Sequence, residues 1–135
     1  MDALGKYAPQ ALAVLRIVTA LLFIEHGTAK LFGFPAAMGG APGEGLPPLM
    51  LIGGILEAFG GLAILVGFLT RPVAFILSGE MAVAYWMMHV PGGGFFPLVN
   101  KGDAAVLFCF VFLYLVFAGP GAWSLDGLRA SRLSR

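Results

Sequence analysis

Four apolar runs dominate the chain and leave few folds open to it. They extend from Ala11 to Phe34, Pro48 to Leu69, Pro72 to His89 and Ala104 to Ala118. A helix that crosses a bilayer needs about 20 mostly apolar residues, since each adds about 1.5 Å across a hydrocarbon core near 30 Å. The first three runs meet that length or come close to it. The fourth holds about 15 strictly apolar residues, roughly 23 Å of helix, and must borrow from its flanks to span. Glycine and proline break the chain at Pro35 to Pro47, at Thr70-Arg71-Pro72 and at Val90 to Gly102, so these segments read as loops or turns. The expected fold is all-α: a polytopic membrane protein, with residues 1–135 forming one antiparallel bundle of four transmembrane helices. A short cytoplasmic tail over 124–135 follows the fourth run.

Composition closes off the soluble alternatives. Of the 135 residues, 59% are hydrophobic and 11% charged, and the mean hydropathy is +0.93. A soluble domain carries roughly 25% charged residues. Disorder is excluded, because disordered chains are polar and poor in aromatics. The basic residues form no stripe outside the last few positions, which excludes nucleic acid as a partner. Cys109 stands alone in an apolar run, so neither a disulfide within the chain nor a cysteine-based metal cluster can form.

The basic residues set the expected orientation. Lys6, Arg16, Arg71, Arg129, Arg132 and Arg135 fall on one side, against Lys30 and Lys101 on the other. The positive-inside rule places both termini and the Arg71 turn in the cytoplasm. A cleaved signal peptide is rejected, because the first run is long and lacks a small-residue cleavage site. Arg16, about five residues inside the cytoplasmic end, is expected to snorkel to the interface. The tail reads as a short surface helix with Ser124 as N-cap and Asp126 in its first turn.

An ionisable side chain within a span costs about 2.5–3.5 kcal/mol at the bilayer centre, so it normally faces protein or water. Glu57 and Glu80 lie about nine residues from the outer ends of their helices, and Glu25 and His26 about seven to nine. All four therefore share one depth, roughly 10–14 Å below the outer surface. Lys30, His89, Asn100, Lys101 and Asp103 form a polar mouth above them. Gly53, Gly54, Gly60 and Gly61 lie within about 60° of Glu57 on the helical wheel, so a neighbouring helix can approach and Glu57 should face it. His26 and Lys30 share a face with Arg16, whereas Glu25 points to the opposite side. Either a homodimer buries both faces, or the helix distorts near Glu25. Glu80 and His89 face apart on an ideal helix, with Pro91 ending that helix near His89 and Tyr85 lining the surface beside it. Asp103 is expected to cap the fourth helix, Met81, Met87 and Met88 to fill core gaps, and Trp86, Tyr114 and Trp123 to face lipid.

The candidate binding set is Glu25, His26, Lys30, Glu57, Glu80, Tyr85, His89, Asn100 and Asp103. No nucleophile–base motif, phosphate loop or HExxH pattern accompanies it, and no catalytic residue is assigned. A di-metal bundle is disfavoured, because adjacent Glu25-His26 diverge by about 100° where such sites use Glu-x-x-His. Haem ligation by His26 and His89 is disfavoured too. A protonatable layer with aromatic and apolar walls suits a quinone head group, which needs proton donors and an apolar slot.

Several stretches resemble the DoxX family of bacterial membrane proteins. They are His26-Gly27-x-x-Lys30-Leu-Phe-Gly-Phe34; Gly53-Gly54-x-x-Glu57-x-x-Gly60-Gly61 running on to Gly67-x-x-Thr70-Arg71-Pro72; Met81-Ala-Val-Ala-Tyr85 leading to His89; and Phe95-Phe96-Pro97-x-x-Asn100-x-Gly102-Asp103. Together they cover about residues 20 to 126. The family usually carries Glu where Asp103 stands, which keeps the acid. The resemblance implies a four-helix inner-membrane protein related to the DoxD subunit of thiosulfate:quinone oxidoreductase. It also implies similarity to a mycobacterial DoxX that works with a superoxide dismutase and a sulfurtransferase. The expected function is an inner-membrane component of a redox system, binding quinone or relaying protons at an outer-facing polar layer. The alternatives are a non-catalytic membrane anchor or assembly partner for a soluble oxidoreductase, and a small-solute transporter.

Overall fold

The computed structural model describes residues 3–38 and 45–134, so part of the first loop, Ala41 included, lies outside the described residues. Among them the chain is helical and has no strand. Helix α1 spans Ala8–Phe32, α2 Pro48–Val66, α3 Thr70–Gly93, α4 Asp103–Ala118 and α5 Leu125–Leu133. The first three are long and apolar enough to cross a membrane. At 16 residues α4 is shorter.

Local chemistry places the helix ends. Pro9 lies in the first turn of α1, where its missing N–H costs nothing. The helix stops at Gly33, whose φ of +69° lets its N–H turn back onto the Ala29 and Thr28 carbonyls. Gly67 ends α2 in the same way at φ +67°. The turn therefore falls at Gly67 to Leu69, and Thr70-Arg71-Pro72 forms the first turn of α3 instead of a loop. Proline is tolerated there. Helix α3 also runs one turn past His89 to Gly93, through Pro91. A π turn at Tyr85–His89 directly precedes that proline, and its wider backbone removes the clash with the preceding carbonyls. Ser124 caps α5 as expected, its hydroxyl accepting from the Gly127 N–H at 3.1 Å.

The contact register makes each neighbouring pair antiparallel. Gly61 of α2 lies against Ile24 of α1 and Gly54 against Leu31. The Ser78 hydroxyl of α3 donates to the Cys109 carbonyl of α4 at 2.8 Å, while Arg71 reaches Val116 and Phe117. The α1–α2 approach is tight: a Cβ at Gly27 would lie 2.4 Å from the Ala58 nitrogen. The two pairs, α1–α2 and α3–α4, meet over a core of Phe23, Ile64, Leu77, Phe112 and Leu115. Phe23 and Phe112 pack edge to face with centroids 4.8 Å apart. Outward lie Val14, Val18, Leu21, Phe75, Phe110 and Phe117, an apolar coat suited to lipid.

One end of this assembly is held by charge. Arg16 does not snorkel: it is fully buried. Its guanidinium donates to the carbonyls of Ile64 and Leu65 on α2, and of Pro120, Ala122 and Trp123 beyond α4. These carbonyls include orphans left by helix C-termini, which attract a cation. Arg71 serves the last turn of α4 similarly. Asp126 of α5 accepts from the Leu69 and Thr70 N–H groups at 2.9 and 2.8 Å, at the N-terminus of α3. Partial burial raises its carboxyl, but those two N–H groups and nearby Arg129 outweigh that and hold it below its ordinary value.

Candidate functional site

The opposite end is open. Helices α2 and α3 touch where Gly60 meets Leu77, a Cβ at Gly60 lying 2.8 Å from that side chain. Toward Pro48 and Gly93 they diverge. The space between them is a cavity of about 590 Å³, backed by Phe23, His26 and Lys30 on α1 and by Ala104, Ala105 and Phe108 on α4. Its walls are apolar and its polar side chains are few: His26, Lys30, Glu57, Glu80, His89 and Lys101.

Glu57 sits on a π turn, Leu56–Gly60, within α2, and is only 2% exposed. Lys30 Nζ donates to Glu57 Oε1 at 2.5 Å. Glu57 Oε2 is buried with no hydrogen-bond partner among the described residues, and so is Glu80 Oε2. Buried polar atoms are normally satisfied, so two spare acceptors at one cavity are exceptional. Gly53 makes the arrangement fit. A Cβ there would be 3.4 Å from Glu80 Oε1 and 3.9 Å from Lys30 Nζ, so both groups converge on the space above this glycine.

Both histidines are fixed through Nδ1. That of His26 lies 2.8 Å from the Leu22 carbonyl, and that of His89 3.1 Å from the Asn100 carbonyl. A carbonyl only accepts, so Nδ1 carries the hydrogen in each case and Nε2 is left to accept from a ligand. Glu80 and His89 line the same cavity, although an ideal helix would set them apart. The π turn at Tyr85–His89 lies between them and swings His89 round. No sequence signal other than nearby Pro91 announces that turn.

Four of the nine expected residues take other positions. Glu25 is exposed on the far face of α1, which continues without distortion, so it stays out of the layer. Asp103 is exposed and occupies the first turn of α4, with Gly102 as the cap residue. Tyr85 and Asn100 build the loop beside the cavity. The Tyr85 hydroxyl donates to the Phe95 carbonyl. The Asn100 amide donates to Tyr85 at 3.2 Å and to the Gly94 carbonyl at 2.7 Å, and accepts from the Gly102 N–H. Met81 is buried as expected, whereas Met87 and Met88 are exposed and line the cavity. Among the described residues no group of three or more His, Cys, Asp and Glu could hold a metal ion.

Apolar helices of membrane-crossing length around a polar-tipped cleft define a small polytopic membrane protein. It belongs to the DoxX family, which matches residues 11–90. An uncharacterized protein of Haemophilus influenzae is 49% identical over 128 residues, covering 93% of this chain and 96% of that one. The inner membrane protein YqjF of Escherichia coli is 35% identical over 85% of this chain and 88% of its own length. The inner membrane protein YphA of the same organism is 31% identical over 90% and 92%. No solved structure matches the chain at a significant level.

Proposed function

We propose that this DoxX protein is an inner-membrane component of a redox system whose cleft binds a quinone head group and exchanges protons with it. The observation that carries the reading is the pair of partnerless buried oxygens, on Glu57 and Glu80, in an apolar cavity shared with Lys30 and two histidines. A quinone gains protons when reduced, so it needs acids within reach of its oxygens and a dry slot for its ring. Glu57, Glu80 and the Nε2 atoms of His26 and His89 supply the acids and bases. Lys30 moderates the two carboxyl charges.

In this reading α4 also crosses the bilayer, lengthened by the Pro97–Asn100 turn before it and Pro120 to Trp123 after it, and residues 1–135 form one four-span bundle. Both termini are cytoplasmic, with the arginine-held end inside and the cleft toward the outer face. The excess of arginine at the held end supports this orientation. Gly92 is the position for an outside label, because a side chain there meets open space while one at Gly93 would strike Asn100. Cysteine at Gly92 should react with an impermeant reagent in intact cells and cysteine at Ser131 should not; the reverse pattern would invert the topology.

Infrared difference spectra on quinone addition test the site. A protonated-carboxyl band that shifts with quinone, and is lost in Glu57→Gln or Glu80→Gln, is the expected result. Spectra indifferent to quinone, with no quinone in lipid extracts of the purified protein, would overturn the reading in favour of an anchor for a soluble oxidoreductase or a solute carrier.

A further inference from the structure

The cavity does not open only to the outer surface. Ile52 on α2 and Ile76, Val83 and Met87 on α3 line it, and each is about half exposed. Ile76, Glu80, Val83 and Met87 recur at helical spacing and form one stripe of α3. Leu49, Ile52, Gly53 and Leu56 do the same on α2. The two stripes are the inner edges of a V whose apex is the Gly60–Leu77 contact, with Glu57 and Glu80 close to that apex. Both edges belong to helices of membrane-crossing length, so the open side of the V faces hydrocarbon. Glu57 and Glu80 lie near the apex and His89 and Lys101 at the open end, whereas Ile52, Ile76, Val83 and Met87 make the exposed edges apolar.

We infer that the cleft takes its ligand sideways from the bilayer, and that the ligand is a quinone bearing a long hydrocarbon chain. The head lies at Glu57 and Glu80, and the chain runs out between α2 and α3. This rests on the quinone reading and adds the route and the chain to it. Water fits that rim poorly, because apolar side chains at hydrocarbon depth give it no partners. A hydrocarbon chain loses nothing by leaving lipid for such walls. The walls also adapt: Met38, Met50, Met81, Met87 and Met88 line the cavity, five of the six methionines in the chain. Unbranched thioether side chains repack around irregular or flexible guests.

The test compares decylubiquinone with its tailless dimethoxy-methyl-benzoquinone parent, on protein in lipid nanodiscs, with each affinity expressed per mole fraction in the lipid. The wild-type protein should bind the two compounds within about threefold of each other, since on this scale the chain only exchanges lipid for apolar walls. Ile52→Trp with Val83→Trp narrows the gap between α2 and α3 at two exposed positions away from the apex. It should weaken the decyl compound at least about tenfold and leave the tailless compound within about twofold. A decylubiquinone carrying a photoreactive group at the chain end should label residues 49–56 and 76–88. An unchanged decylubiquinone affinity in the double variant, or labelling confined to other faces, would overturn the sideways route and leave the head-group site standing. If neither compound binds the wild-type protein, the quinone reading falls and the inference falls with it.

Discussion

The two ends of the bundle handle buried charge in opposite ways. At the held end three charged groups are met by backbone: Arg16 by five carbonyls, Arg71 by two and Asp126 by two N–H groups. Each sign matches the helix terminus it meets. At the open end Lys30 meets a single Glu57 oxygen, and two carboxylate oxygens have no partner. Dense hydrogen bonding to backbone fixes the helix ends there, although the buried Thr70 hydroxyl has no partner among the described residues. Spare capacity around a cavity costs stability and is kept where something binds. One end is built to hold; the other, on the proposed reading, to exchange.

The sharpest way to break this contrast is Arg16→Leu. It strands buried carbonyls at about 1–3 kcal/mol each, so the bundle should lose at least about 3 kcal/mol, read from denaturant unfolding in detergent. An unchanged midpoint would make the held end dispensable. Next come two glycines. Gly27→Ala drives a methyl into the backbone of α2 and should cost about 1–3 kcal/mol. Gly53→Ala meets only ordinary contacts, so its stability should change by less than about 0.5 kcal/mol while quinone affinity falls. Equal losses in both would show that the cleft is packed as tightly as the helix seam.

Glu57→Leu should sharpen the comparison from the open side. Lys30 lies against the cavity and can turn into it, so stability should shift by about 1 kcal/mol or less while quinone affinity falls about tenfold. A large loss of stability with affinity intact would make Glu57 a structural member. The smallest effect belongs to Asp126. Its carboxyl is held below its usual value of 3.8, so the docking of α5 is at full strength above that value. Docking weakens as pH falls through the lower folded value. Cleavage after Arg129 by a protease active in acid should rise below about pH 4, and Asp126→Asn should raise it at neutral pH by roughly twofold. A tail equally resistant in both tests would mean that α5 is held by other contacts.

Much of the fold is legible in the order of residues alone, because hydrocarbon admits so few solutions. The apolar runs mark the helices within a few residues, and the glycines around Glu57 foretell its burial at a helix contact. The site is legible in part. His26, Glu57 and Glu80, expected at one depth, line one cavity together with Lys30 and His89, expected in the mouth above. Glu25 shares the depth but not the direction, and depth alone cannot separate the two. A one-helix argument misplaces Arg16: snorkelling considers the distance to water, whereas the five acceptors come from two distant segments. His89 depends on a π turn, which changes facing without leaving a periodic mark.

The sequence by itself determined the helical class and the extent of each apolar helix to within a few residues. These follow from chain length, backbone chemistry and the cost of charge in lipid, all of which act along one chain. Tertiary structure alone decided which groups became partners: that Arg16 closes one end, that Lys30 takes Glu57, and that α2 and α3 diverge into a cleft. Pairing depends on rotations of tens of degrees and offsets of a few ångströms between separate helices. Those are fixed by side chains such as Gly27 against Ala58 and Gly60 against Leu77, which meet only after the chain has packed.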